Sequence, residues 1–200
     1  MKEIVVATTN RSKLAEIRAI LLGLPVEILA LDRWPGIPEP EETGSTFAEN
    51  ARAKALYYSA ATGLPAVAED SGLEIDALGG EPGVHSARFG LPAAPDYPAK
   101  FRMIYGRLRA VGELESAARF VCALALAESE SIVFETRAVV EGRIASEPRG
   151  RGGFGYDPIF YYPPYGRTLA EVTPAEKAAV SHRGKAFRAL KEFLDCRVQD

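Results

Sequence analysis

"RFVCALALAESESIVFETRAVV", Arg119 to Val140, decides the fold class. Arg119 to Ala127 is a nearly unbroken apolar run, Ile132 to Val140 is apolar or alternating, and the polar "ESES" joins them, so the stretch reads as a β-hairpin. Around it the chain alternates strand and helix patterns. Ile4 to Ala7 is a β-branched run that leads through "TTNRSK" into a helix with Leu14, Ile17, Ile20 and Leu21 on one side, and Val26 to Leu31 reads as a second strand. An antiparallel pair set among such units predicts an α/β fold with a mixed central sheet and flanking helices.

The remaining segments fill in that frame. "DRWPGIPEPEETGS" is loop, and Thr46 with Glu49 has capping-box spacing for a helix that Gly63 and Pro65 stop after about Thr62. Ala66 to Ala68 reads as a strand ending at Glu69 and Asp70, with a turn at Ser71-Gly72. A long Pro/Gly-rich excursion, "GGEPGVHSARFGLPAAPDYP", precedes a helix over Ala99 to Val111. After the hairpin comes a glycine-rich loop, "EPRGRGGFGYDP". Thr173, Pro174 and Glu176 then open a short helix, and a last helix follows "SHRG" with Phe187, Leu190 and Leu194 inward. Residues 1–200 are expected to form one folding unit.

Composition narrows the partners. The 24 basic and 27 acidic residues leave a formal net charge of −3, with no block of either sign, which argues against polymeric nucleic acid and against a membrane surface. The two cysteines, Cys122 and Cys196, lack CxxC spacing, so neither a disulfide framework nor a zinc site is indicated and a reducing cytoplasm is expected. No apolar run approaches the length of a membrane span.

Several polar groups stand where chemistry is done. Thr8, Thr9 and Asn10 lie at a strand end with Arg11, Ser12 and Lys13 opening a helix, where free N–H groups suit an anion; Asn10 equally caps that helix and Lys13 equally faces water. Lys54 shares a helical stripe with Phe47, Asn50, Ala51 and Tyr58, so it either meets an anion or snorkels. Glu69-Asp70 with Glu41-Glu42 offers oxygen ligands without His or Cys, a set that suits Mg²⁺, although "EDSG" also reads as a polar turn. "GRGGFG" matches GxGxxG but runs into "YDP" instead of a helix, so the dinucleotide reading fails. Phe154 and Tyr156 remain as stacking surfaces or core, and His182 and Arg183 as a base-reading pair or as an ordinary helix start with an exposed arginine.

Taken in order, "TTNRSK", "EETGSTFAENARAKA", "AEDSGLEIDALGGEPGVHSARF", "GGFGYDPIF" and "EKAAVSHRGKA" resemble the signatures of the inosine/xanthosine triphosphate pyrophosphatase family over nearly the whole chain. The resemblance implies two lobes around an active-site cleft, a homodimer, and Mg²⁺-dependent hydrolysis of ITP, dITP and XTP to the monophosphate and pyrophosphate, which cleans the nucleotide pool. By motif position it implies Thr8, Thr9, Asn10, Arg11, Ser12, Lys13 and Lys54 on the triphosphate, and Glu42 and Asp70 on the metal with Glu69 as a further candidate. Asp70 would also activate the water, Ser71 would touch the nucleotide, and Phe154, Gly155, Tyr156, Asp157, Lys177, His182 and Arg183 would surround base and sugar. Bacterial members often carry glycine where Thr9 stands and aspartate where Glu69 stands. A Maf-like pyrophosphatase is the nearest competing enzyme, and "SHR" argues against it; a sensor without turnover would be expected to lack one of the carboxylates, and Glu42 and Asp70 are both present.

Overall fold

Strand β1 (Glu3–Val6) pairs in parallel with β2 (Glu27–Ala30) on one side, Val5 facing Leu29, and with β3 (Ala66–Ile75) on the other, Val5 facing Ala66. The computed structural model describes residues 3–90 and 96–198, and over these the sheet has seven strands in the order β2-β1-β3-β4-β5-β6-β7. The predicted hairpin is present: β4 (Ala117–Glu128) and β5 (Ser131–Ile144) are neighbours joined by two residues, of which Ser129 takes a positive φ of 56°. Two-residue connections favour such backbone conformations because their twist matches that of the strands. Strands β6 (Phe160–Tyr162) and β7 (Arg167–Thr168) continue the sheet antiparallel, Ile144 facing Phe160 and Tyr161 facing Thr168. Neither short strand is legible in the sequence pattern. An α/β fold with a mixed sheet is what the hairpin predicted.

One expectation is corrected. The chain does not turn at Ser71-Gly72, and β3 runs through Glu69, Asp70, Ser71 and Gly72 as ten continuous residues. Side chains alternate sides along a strand, so adjacent carboxylates are sent to opposite faces.

The chain resolves into two compact units. The first comprises Met1–Asp70, Cys122–Ala138 and His182–Asp200, and the second Ser71–Val121 and Val139–Ser181. In the first, helix α1 (Arg11–Leu21) buries Ile17 and Leu21, and α5 (His182–Val198) buries Phe187, Leu190 and Leu194, in one core with Ile4, Val6, Val67, Cys122, Leu124 and Leu126. The alternate residues of β4 in that list explain why the strand reads as an unbroken apolar run: nearly every position is buried, whichever face it takes. Helix α2 (Phe47–Thr62) is capped by Thr46, whose hydroxyl accepts from Glu49 N at 3.1 Å, and ends at Gly63 as expected.

In the second unit, α3 spans Tyr97–Val111, two residues earlier than its apolar pattern suggests, because the Asp96 carboxylate caps it by accepting from Ala99 N at 3.0 Å. Phe101, Ile104, Tyr105 and Leu108, one helical stripe, pack with Leu73, Ile75, Phe120, Val140, Ile144, Ile159 and Phe160. Residues 91–95 of the Pro/Gly-rich excursion lie outside the described residues. Helix α4 (Pro174–Val180) carries the full capping box of Thr173 and Glu176. Among the described residues, no helix is long and apolar enough to cross a membrane.

Candidate active site

The first unit gathers charge beyond the end of β1, within β3 and on the neighbouring helices. Beyond β1 the chain stays pinned to β3 by Ala7 N donating to Val67 O at 2.8 Å, then turns into α1. Asn10 caps that helix, its Oδ1 accepting from Ser12 N and Lys13 N at 3.0 and 3.1 Å, and Thr8 Oγ1 accepts from Asn10 N. The capping expected of Asn10 is therefore realised. Thr9, Arg11 and Ser12 are exposed. Thr8, Thr9 and Arg11 border a cavity of about 360 Å³ shared with Leu31, Trp34 and Tyr58. Lys13 does not simply face water: its Nζ lies 2.8 Å from Glu69 Oε1.

On α2, Lys54 meets an anion instead of snorkelling, with Nζ 2.6 Å from Glu42 Oε1 and the side chain only 12% exposed. Burial alone would lower its pKa, but Glu42, Asp70 and Glu69 outweigh that and hold it raised, so the ammonium is fixed as a cation. One turn earlier, Asn50 is buried; its Oδ1 accepts from Gly44 N at 2.8 Å and its Nδ2 donates to Asp70 Oδ2 at 2.9 Å. Sequence reasoning placed Asn50 on the inward stripe without giving it a task. A buried amide four residues before Lys54 was the available signal. Asp70 is 6% exposed, and burial raises its pKa first, with Lys54 and the Asn50 hydrogen bond opposing and Glu42 adding to the rise.

Glu69 sits in a different setting. Its Oε1 accepts from Arg183 Nε and Nη2 at 3.2 and 3.1 Å as well as from Lys13, and Cys122 Sγ donates to Oε2 at 3.4 Å. Burial would push its pKa up, but Arg183, Lys13 and Lys54 overcome this and hold it well below the usual carboxylate range. Arg183 is not the exposed residue of the ordinary reading: it is 2% exposed, and its Nη1 donates to Glu16 Oε2 at 2.8 Å. Glu16 is the second member that sequence reasoning missed. His182, the first residue of α5, is buried beside it in the chain.

The second unit brings three of the expected residues together. Asp157 and Lys177 form a buried pair, Nζ to Oδ2 2.6 Å, and the same Oδ2 accepts from Phe154 N at 2.7 Å. The Lys177 ammonium also lies 4.3 Å from the centroid of the Phe154 ring. Tyr156 goes to the core, its hydroxyl donating to Ser86 O at 2.8 Å and its ring meeting Tyr97 edge-on. In this loop the glycines serve the chain itself. A Cβ on Gly150 would lie 2.4 Å from the Ala170 backbone, and one on Gly153, where φ is +66°, would lie 2.1 Å from Asp157 Oδ2. Gly153→Ala is therefore expected to cost about 1–3 kcal/mol through left-handed strain alone, more if Asp157 is displaced, and to lower the melting temperature accordingly. An unchanged melting temperature would show that the loop relaxes freely.

Oxygen donors without histidine or cysteine suit Mg²⁺, and the position of the Lys54 ammonium, held by Glu42 and stabilised by Asp70, marks a place whose electrostatics favour a cation. Among the described residues no group of three or more His, Cys, Asp and Glu side chains is arranged to hold a metal ion. That is compatible with Mg²⁺, which commonly binds one or two carboxylates and completes its shell with water and substrate phosphates.

The profile of the Ham1 family matches residues 4–193. The chain belongs to the Ham1 family. Curated relatives named dITP/XTP pyrophosphatase include those of Geobacter sulfurreducens, 46% identical over 194 residues (97% of both chains), and Thermus thermophilus, 48% identical over 192 residues (95% of this chain, 90% of the relative). Among solved structures, the HAM1 protein of Coxiella burnetii superposes with a TM-score of 0.90 at 44% identity, covering 98% of this chain and 99% of that one. The Ham1 protein of Staphylococcus aureus gives 0.87 at 34% identity, covering 98% and 100%. The mixed sheet and helices described above are thus the Ham1 fold.

Proposed function

We propose that this Ham1 protein hydrolyses purine nucleoside triphosphates bearing hypoxanthine or xanthine, namely ITP, dITP and XTP, to the monophosphate and pyrophosphate. The observation that carries the reading is Asp70: a nearly enclosed carboxylate, oriented by the Asn50 amide, beside a lysine fixed as a cation. Such a group is placed to hold a water and take its proton. The names of the relatives point to dITP and XTP.

The roles follow the chemistry of each cluster. The N–H groups at the start of α1, with Thr8, Thr9, Asn10, Arg11, Ser12 and Lys13, receive phosphate oxygens, aided by the positive end of the helix. Lys54 neutralises charge that builds on the phosphates in the transition state. Glu42 and Asp70 are the residues that would hold Mg²⁺, which when bound supplies phosphate charge neutralisation and a more acidic water. In the second unit, Phe154 offers a stacking face while Lys177 and Asp157 offer a donor and an acceptor to sugar or base; Gly155 and Tyr156 belong to the same loop, and Ser71, next to Asp70 on β3, would touch the nucleotide. Hypoxanthine and xanthine carry an acceptor oxygen at C6 where adenine carries an amino donor, so donors aimed there from His182, Arg183 or nearby backbone N–H groups would pair with ITP and oppose ATP. Leaving such groups unpaired gives discrimination of up to about 10⁴–10⁵.

We place the enzyme in the cytoplasm as a homodimer; the buried Cys122 and exposed Cys196, both free thiols, suit a reducing compartment. Light scattering on the purified chain tests the dimer. Incubation with ITP and Mg²⁺ is expected to release pyrophosphate and no orthophosphate, with ITP and XTP well above GTP, and GTP no worse than ATP. Orthophosphate, or equal use of ATP, overturns the reading. Lys54→Ala is expected to weaken turnover and nucleotide affinity while the fold survives, with the melting temperature lowered by loss of the ion pair to Glu42. Unchanged kinetics would remove Lys54 from the phosphate set.

A further inference from the structure

Glu69 is surrounded by cations, and none of the roles above accounts for that. Its Oε1 alone receives Lys13 Nζ at 2.8 Å and Arg183 Nε and Nη2 at 3.2 and 3.1 Å, while Oε2 takes the Cys122 thiol. Lys13 stands in the first turn of α1 and Arg183 in the first turn of α5, so one strand residue ties the starts of two helices together. Glu16, a turn further along α1, takes the other arm of Arg183. Two cations and two carboxylates thus balance within the first unit.

A metal ligand needs a lone pair directed at the ion and surroundings that tolerate a second positive charge. Glu69 has three N–H donors on one oxygen and two full cations beside it, whereas Asp70, sent to the other face of β3, is met by a neutral amide and a lysine already paired with Glu42. The lysine ammonium has three donors, and one suffices for Glu69, so Lys13 can hold the carboxylate and a phosphate oxygen together.

We propose that Glu69 is a positioning residue that sets Lys13 for the triphosphate and Arg183 beside it in a single geometry, and that it does not ligate the metal. This rests on the pyrophosphatase reading. It also gives Arg183 a task before any substrate is present: its guanidinium is the counter-charge that lets a carboxylate stay ionised inside the protein.

Glu69→Gln keeps the shape and removes the charge that holds both cations. It is expected to raise KM for ITP about 10-fold or more, the scale of a lost charged hydrogen bond, and to shrink the ITP-to-ATP preference, while the Mg²⁺ concentration for half-maximal activity stays where it is. Lys13→Ala in the same background should add little, because the two residues act as one. Glu69→Asp, one methylene short, should recover part of the affinity, and it carries the comparison if the glutamine variant does not fold. Recovery of Glu69→Gln by excess Mg²⁺ would make Glu69 a ligand and overturn the proposal, as would a lowered melting temperature with unchanged KM and unchanged base preference. Calorimetry with metal-free inorganic tripolyphosphate reads the Lys13 half without turnover: about 10-fold weaker binding by Glu69→Gln and a smaller loss by Glu69→Asp are expected, and unchanged binding by both overturns it. Failure of the wild type to release pyrophosphate from ITP would instead reject the pyrophosphatase reading, while the tripolyphosphate comparison still tests Glu69.

Discussion

Asp70→Asn is expected to lower kcat for ITP by at least about 10²–10⁴-fold, the usual worth of a positioned general base, and by more if a metal contact is lost with it. In barrier terms that is about 3–5.5 kcal/mol. The exchange is nearly isosteric, and the new amide can still accept from Asn50, which now donates to Asp70 Oδ2 at 2.9 Å. What disappears is the charge and the capacity to take a proton. The fold should therefore survive, and a melting temperature close to wild type is part of the expected result. The pH profile gives a second readout. Burial raises the Asp70 pKa above the ordinary carboxylate value against the pull of Lys54 and Asn50. A base must be ionised to work, so wild-type activity should fall as acid protonates Asp70, and because Mg²⁺ held there opposes that protonation, the fall should move to higher pH as Mg²⁺ is made limiting. The variant should show no such acid limb. Full activity of Asp70→Asn, or of the wild type in excess chelator, would exclude this chemistry.

How much of this was legible in the sequence depends on how local the determining contacts are. The β4–β5 hairpin, the stop of α2 at Gly63 and the cap of α4 depend on residues within a few positions of one another, and pattern reading found them. Strand β3 was misread because Ser71-Gly72 looks like a turn in isolation. Its interior place in the sheet, between β1 and β4, holds the backbone extended whatever the local preference. The same error hid the most informative feature of the stretch. Two acids at a strand end look like one acidic cluster, whereas two acids inside a strand must part to opposite faces. For Arg183 the local pattern leaves an exposed helix-start arginine and a base-reading one both open: Glu69 and Glu16 lie 114 and 167 residues away, and no local pattern marks an arginine that will be buried by distant partners. Tyr156, offered as stacking surface or core, is core, since its hydroxyl finds a backbone carbonyl 70 residues earlier.

Arg183→Ala is expected to be the most destabilising of the charge substitutions in the first unit. It removes the guanidinium from a buried pair and leaves Glu69 enclosed with Lys13, itself 20% exposed, as its remaining ion-pair partner among the described residues. Breaking such a pair by taking away one partner costs about 3–5 kcal/mol, and in a protein of this size each kcal/mol lowers the melting temperature by about 2–4 °C. The pH dependence separates this from simple loss of packing. In the wild type the folded-state pKa of Glu69 is depressed: burial pushes it up, and Arg183, Lys13 and Lys54 together push it further down. A depressed carboxylate contributes stability above its unfolded pKa of about 4.3, and that contribution is lost as pH falls through the lower, folded value. In the variant the leading opposing charge is gone, burial gains the upper hand, and an ionised Glu69 becomes a liability that protonation relieves. The stability gap between wild type and Arg183→Ala should thus be widest near neutral pH and close on acidification. A gap that stays constant from neutral pH down to about 4 would mean that Arg183 serves the fold through its packed stem and not through its charge. Kinetics add the remaining test, since Arg183→Ala should lower kcat/KM for ITP much more than for ATP if the arginine also serves base recognition, and equally for both if it serves only Lys13 and the phosphates.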